Sequence, residues 1–237
     1  MRQEAESKGQ KGPSKRRCLA LGGLLVTCLN GSPVSYARME QVTSSEPELT
    51  LHVRVCNYAA VPVKTLTRTE LLTAAIFQAA GVKTVWADDF PTGGLSIRAE
   101  PLASEPAPDI DLRILTTSMG SQLGFPQEKL GFALRCGSGE GACYASVFYQ
   151  RVEKLAGQAA APLSTVLACV FAHEIGHLLL GADSHSERSI MRADWDPADF
   201  NSDDLRGRLF TPSQAKLIQA NVRERASRKG LAATSDR

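Results

Sequence analysis

Between Pro162 and Leu180 the chain is almost continuously apolar, broken by His173, Glu174 and His177. A run of 19 residues is close to the length that crosses a bilayer. Two imidazoles and a carboxylate inside lipid would be costly, and a helix buried within a globular domain accommodates the run better. Gly181 follows it as a helix stop. Burying these three side chains is itself unfavourable unless each finds a partner. The segment thus constrains the fold twice. Apolar elements have to surround it, and they have to leave its polar face something to bind.

His173-Glu174-Ile175-Gly176-His177 matches the pattern H-E-x-x-H. Residues four apart on a helix lie one above the other on one face, so the two imidazoles converge on a single ion. Glu174 shares that side and reaches a water on the metal without ligating the metal itself. Zinc lowers the pKa of such a water from about 16 toward about 7. A carboxylate then takes the proton as the water attacks a carbonyl. Three of the four histidines in the chain, His173, His177 and His185, fall within 13 residues.

Beyond these five residues the segment resembles the metzincin peptidases, which carry H-E-x-x-H-x-x-G-x-x-H followed by a methionine turn. Here the run continues Leu178-Leu179-Leu180-Gly181-Ala182-Asp183-Ser184-His185, with Ser189-Ile190-Met191 shortly after. The glycine stands one residue later than in the family pattern, and the histidine two later. Asp183 occupies the family's third-ligand spacing, where one small branch uses aspartate. His185 is the better ligand type for zinc, and the loop after Gly181 has room to absorb the extra residues. The resemblance implies one Zn2+ per chain, held by His173, His177 and His185 with Asp183 as the alternative third ligand. It implies Glu174 as the catalytic base and Met191 as an apolar floor below the metal. It also implies a substrate pocket lined by Ala193 and Trp195, and an edge strand, either 131–135 or 142–149, that pairs with extended peptide. The tyrosine that some metzincins place after the methionine turn has no counterpart, since no Tyr follows Tyr149. The activity implied is zinc-dependent hydrolysis of peptide bonds in a peptide or protein substrate.

Two other readings compete. A gluzincin-type peptidase takes its third ligand from a later glutamate, and Glu187 and Glu224 are the downstream candidates. Glu187 lies too near the helix end, and Glu224 sits in the charged run Arg223-Glu224-Arg225. The other is a catalytically inactive, zinc-stabilised secreted or envelope binding protein. Glu174 counts against it, because a structural site has no use for that carboxylate.

The remaining pattern is mixed. Leu51, Val53 and Val55 alternate with polar residues within 49–61, as in a half-buried strand. Thr67 and Glu70 form a capping-box pair for a helix that Gly81 stops. Further strands are expected at 82–87, 110–116, 131–135 and 142–149, with loop at 91–108 and irregular chain at 196–208. Thr211-Pro212-Ser213-Gln214 opens a last helix that runs to Arg225. Together these predict an α+β fold: one zincin-like domain in which a mixed twisted sheet packs on the buried helix, with a C-terminal helix. The expected bounds are a leader at 1–37, a linker at 38–48, the domain at 49–226 and a disordered tail at 227–237.

A content of 43% hydrophobic and 22% charged residues suits a chain that forms a core. Lys15-Arg16-Arg17, the apolar stretch Cys18–Leu29 and Ser35-Tyr36-Ala37 read as an export signal. The expectation is a secreted or periplasmic monomer with no stable membrane span after processing. Without residues 1–37 the chain holds 21 basic against 23 acidic residues, which gives no electrostatic case for nucleic acid. Export makes a Cys136–Cys143 disulfide around the glycine-rich loop plausible chemistry, whereas Cys169 reads as a core residue.

Overall fold

A computed structural model of the chain describes residues 48–89, 108–134, 144–200 and 208–235. The chain divides at Ser44 into two units, and all the described residues belong to the second. The leader, the 91–107 part of the expected loop and the Cys136–Cys143 pair lie outside the described residues.

Alternating burial along Leu51, Val53 and Val55 gives β1 (Thr50–Asn57) one apolar face. β2 (Lys83–Asp89) and β3 (Ile110–Leu115) flank it in parallel, with Val53 opposite both Trp86 and Ile110. β5 (Tyr144–Phe148) extends the sheet in parallel beside β3. β4 (Gly131–Leu134) closes it as an antiparallel edge strand, giving the order β2-β1-β3-β5-β4. This is the mixed sheet expected, and it settles which of the two candidate strands is the edge: β4 is, and β5 is interior.

Helices cover the face formed by Val53, Val55, Leu112 and Ile114. α1 (Val63–Ala79) links β1 to β2. α2 (Thr117–Gln122) and α3 (Tyr149–Gln158) follow β3 and β5. α4 (Leu163–Leu180) is the apolar run itself, with thirteen of its 18 residues buried, and it packs against α1, α3, α5, β4 and β5. Among the described residues it is the one helix long and apolar enough to cross a membrane, yet 72% of it is buried in the fold. Fully burying side chains such as Leu167, Phe171, Ile175 and Leu178 contributes about 1.5–3 kcal/mol each. Cys169 is buried there and free, and Cys56 on β1 is buried.

α5 (Pro212–Ser235) begins with the expected reciprocal cap: Thr211 N donates to Gln214 Oε1 at 2.9 Å, and Gln214 N to Thr211 Oγ1 at 3.2 Å. It does not stop near Arg225, so the tail expected from 227 is corrected to helix as far as Ser235. Arg225 donates to the Asp109 carbonyl at 3.1 Å, and Lys229 pairs with the Asp109 carboxylate at 2.7 Å, which fastens the extra turns to the start of β3.

The capping box read at Thr67 and Glu70 is likewise corrected. α1 starts at Val63 after Pro62, where a fixed φ suits a helix entry, so both residues lie within the helix. Glu70 is buried and faces Asp88 of β2, with its Oε1 unpartnered. Burial, then the hydrogen bond to Asp88 and its charge, push the Glu70 pKa up from 4.5 to about 8. A carboxyl protonated in the fold but ionised in the unfolded chain contributes stability below pH 4.5 that is lost as pH rises through about 8. The urea midpoint is therefore expected to fall across this interval, and Glu70→Gln to make the slope shallower. An unchanged slope in the variant would contradict this account of Glu70.

Candidate metal centre

α4 brings His173 and His177 to the bottom of a cleft of about 850 Å³ whose opposite wall is β4. The two rings meet edge to face, with centroids 4.6 Å apart. Each Nδ1 is already engaged. His173 Nδ1–H donates to the Ile190 carbonyl at 2.9 Å, and His177 Nδ1–H to the Gly181 carbonyl at 3.3 Å, with Ser184 Oγ 3.2 Å from the same nitrogen. These bonds place the ring protons on Nδ1 and leave both Nε2 lone pairs bare. The two Nε2 atoms lie 3.0 Å apart. Two acceptors that close, with no proton between them, are satisfied by a shared cation.

His185 completes the cluster. Its ring lies 4.7 Å from that of His177 and 5.5 Å from that of His173, centroid to centroid. Ligand nitrogens from all three residues fall within 4.8 Å of one another. A tetrahedral zinc ion with bonds of about 2.0–2.1 Å holds its ligands roughly 3.4 Å apart, so this donor set suits zinc. Asp183 is exposed and stands outside the cluster, as does Glu187. Glu224 pairs with Arg228 on the exposed face of α5.

Burial favours the neutral form of His173 and His177, the form that a ligand takes. Burial lowers the His173 pKa to about 4, the Ile190 bond offsets part of that, and the charges of His177, His185 and Lys129 add to the lowering. His177 is lowered too, by burial first, with Gly181 acting the other way and His185 and Lys129 reinforcing it. Burial pushes Glu174 up to about 8, and the Lys129 ammonium acts against that shift.

Glu174 sits beneath the start of β4 because Gly131 lets the strand come close. A Cβ at that position would lie 2.5 Å from the Ser146 carbonyl and 2.7 Å from Glu174 Oε1. Ala193 and Trp195 line the cleft, and Trp195 stacks on Phe200 at 5.2 Å. Met191 is fully buried against Gly176, in the turn of α4 that separates the two histidines. Sequence patterns gave no signal for Lys129, Gly131 or Ser184. Each owes its place at the site to how β4 and the loop after α4 fold back over the helix.

No family model matches the chain, and no curated protein matches it. Among solved structures, metalloproteinase-II from Bacteroides fragilis aligns with 12% identity and a TM-score of 0.44, over 76% of this chain. The chain spans about half of that protein, 55% of its length. Archaemetzincin from Methanopyrus kandleri aligns with 12% identity and a TM-score of 0.43, over 76% of this chain and 99% of that one.

The packing of Met191 yields a prediction. Gly176→Ala gains about 1 kcal/mol of helix propensity. It also drives a methyl group into Met191 Sδ and to within 3.1 Å of Phe210, and overpacking a closed core costs about 1–3 kcal/mol. The net effect on denaturant unfolding should be destabilising. A stabilised variant would mean that Met191 is not held against the helix.

Proposed function

We propose that this protein is a zinc-dependent metallopeptidase of the metzincin type, with His173, His177 and His185 as ligands and Glu174 as general base. The observation that carries the reading is the pair of bare Nε2 atoms 3.0 Å apart, with a third imidazole in reach and a buried carboxylate beside them. Zinc bound there supplies a Lewis acid that acidifies water and polarises a carbonyl. Glu174 takes the proton from the attacking water and returns it to the leaving amine nitrogen, so that one peptide bond becomes a carboxylate and an amine. The outer edge of β4, unpaired among the described residues, offers backbone N–H and C=O groups to an extended peptide, which holds the scissile bond over the histidines. Ala193 and Trp195 receive a substrate side chain on the opposite wall. The reading includes a peptide or protein substrate, one zinc per chain, a monomer, and export, which rests on the leader composition alone.

Purified protein is expected to contain about one zinc per chain. Glu174→Gln should retain that zinc while peptide cleavage falls by about 10²–10⁴-fold. Undiminished cleavage would sink the proposed role of Glu174. A zinc-loaded parent chain inert toward a broad peptide library would favour the inactive binding protein. His185→Ala should bind zinc measurably more weakly and Asp183→Ala bind it like the parent; the reverse would make Asp183 the third ligand.

A further inference from the structure

The rings of His173 and His177 are each oriented by a hydrogen bond to a backbone carbonyl. Among the described residues no hydrogen bond orients the His185 ring, which is exposed and lies eight residues beyond His177. The residues on either side of it are held, however, by one side chain from a distant part of the chain, through the carbonyl of Ser184 and the hydroxyl of Ser186. Gln214 Nε2 donates to the Ser184 carbonyl at 3.1 Å and to Ser186 Oγ at 3.2 Å, so that a single amide spans His185. Ser186 Oγ meets Ser189 Oγ, which accepts from Met191 N at 3.0 Å, and Ser186 N donates to the Met191 carbonyl at 2.8 Å. Gln214 is only 9% exposed. Its Oε1 and its backbone N–H are committed to Thr211 in the cap of α5, which fixes the amide rigidly.

We propose that Gln214 is a positioning residue for the metal centre: the first turn of the C-terminal helix holds His185 within reach of an ion on His173 and His177. The proposal rests on the zinc-site reading above. It makes α5 part of the site although no residue of that helix enters the cleft. Four residues, Gly181 to Ser184, separate the end of α4 from His185, and an exposed ligand beyond such a loop costs entropy to place. An amide gripping both flanks of the ligand lowers that cost before the metal arrives.

The two functions of Gln214 can be separated. Glu at this position still accepts from Thr211 N and so keeps the cap, but it has no protons for Ser184 and Ser186. Met loses both. Zinc affinity of the full chain, measured by competition with a chromophoric chelator, is expected to fall about 10- to 100-fold in Gln214→Glu. Its thermal midpoint should stay near that of the parent. In a His185→Ala background the same change should have no further effect on zinc. Gln214→Met should lose stability as well as affinity. The proposal is overturned if Gln214→Glu binds zinc like the parent while Gln214→Met does not, since the cap alone would then matter. It is equally overturned if the full loss persists without His185. A parent chain that binds no zinc would remove the zinc-site reading along with the inference, whereas a zinc-binding parent with an indifferent Gln214→Glu removes the inference alone.

Discussion

The structure turns on two imidazole nitrogens, one helical turn apart, that face each other with their lone pairs and no proton between them. A buried helix tolerates polar side chains only when their hydrogen-bonding capacity is met. The carbonyls of Ile190 and Gly181 meet half of that need by accepting the Nδ1 protons. The other half is left open toward the cleft, and a cation is the partner that fits it. The same carbonyl bonds that fix the tautomers hold the rings at the angle at which they converge.

The surrounding elements are arranged to keep this geometry while leaving one side accessible. Apolar contacts with α1, α3, α5 and the sheet immobilise α4. Met191 and Phe210 close the space beside Gly176. Among the described residues β4 is the one antiparallel strand of the sheet, and it runs along the open side with no strand paired to its outer edge. The loop after Gly181 then returns over the helix, with Gly181 at a φ of +109° making the turn. Hydroxyls of Ser184, Ser186 and Ser189 tie the loop together. The centre is thus built from one rigid element, the helix, and one element that has to be held in place, the loop.

Much of this was legible in the sequence because it is encoded locally. The length and continuity of the apolar run identify a buried helix, and the i, i+4 spacing of His173 and His177 dictates that their side chains meet. The reciprocal cap at Thr211 and Gln214 is a four-residue signal and forms as read. Alternation in β1 marks its buried face. What escaped the sequence is non-local or unpunctuated. α3 begins directly after Phe148 with no turn residue to separate it from β5, so the expected strand takes in Tyr149 and no helix is read at Val152, Leu155 and Ala156. Glu70 satisfies the capping-box spacing with Thr67, yet Pro62 starts the helix earlier and carries Glu70 inside. Spacing alone left His185 and Asp183 in competition. The fold brings the His185 ring to the other two and leaves Asp183 exposed, an outcome that depends on contacts with a helix about thirty residues downstream.

The central claim is that three imidazoles share one zinc ion. X-ray absorption at the zinc edge of the loaded protein tests it directly. The account predicts three imidazole nitrogens at about 2.0–2.1 Å together with one further oxygen or nitrogen neighbour. Two imidazoles with a carboxylate in place of the third, sulfur in the inner shell, or a chain that retains no zinc would contradict it.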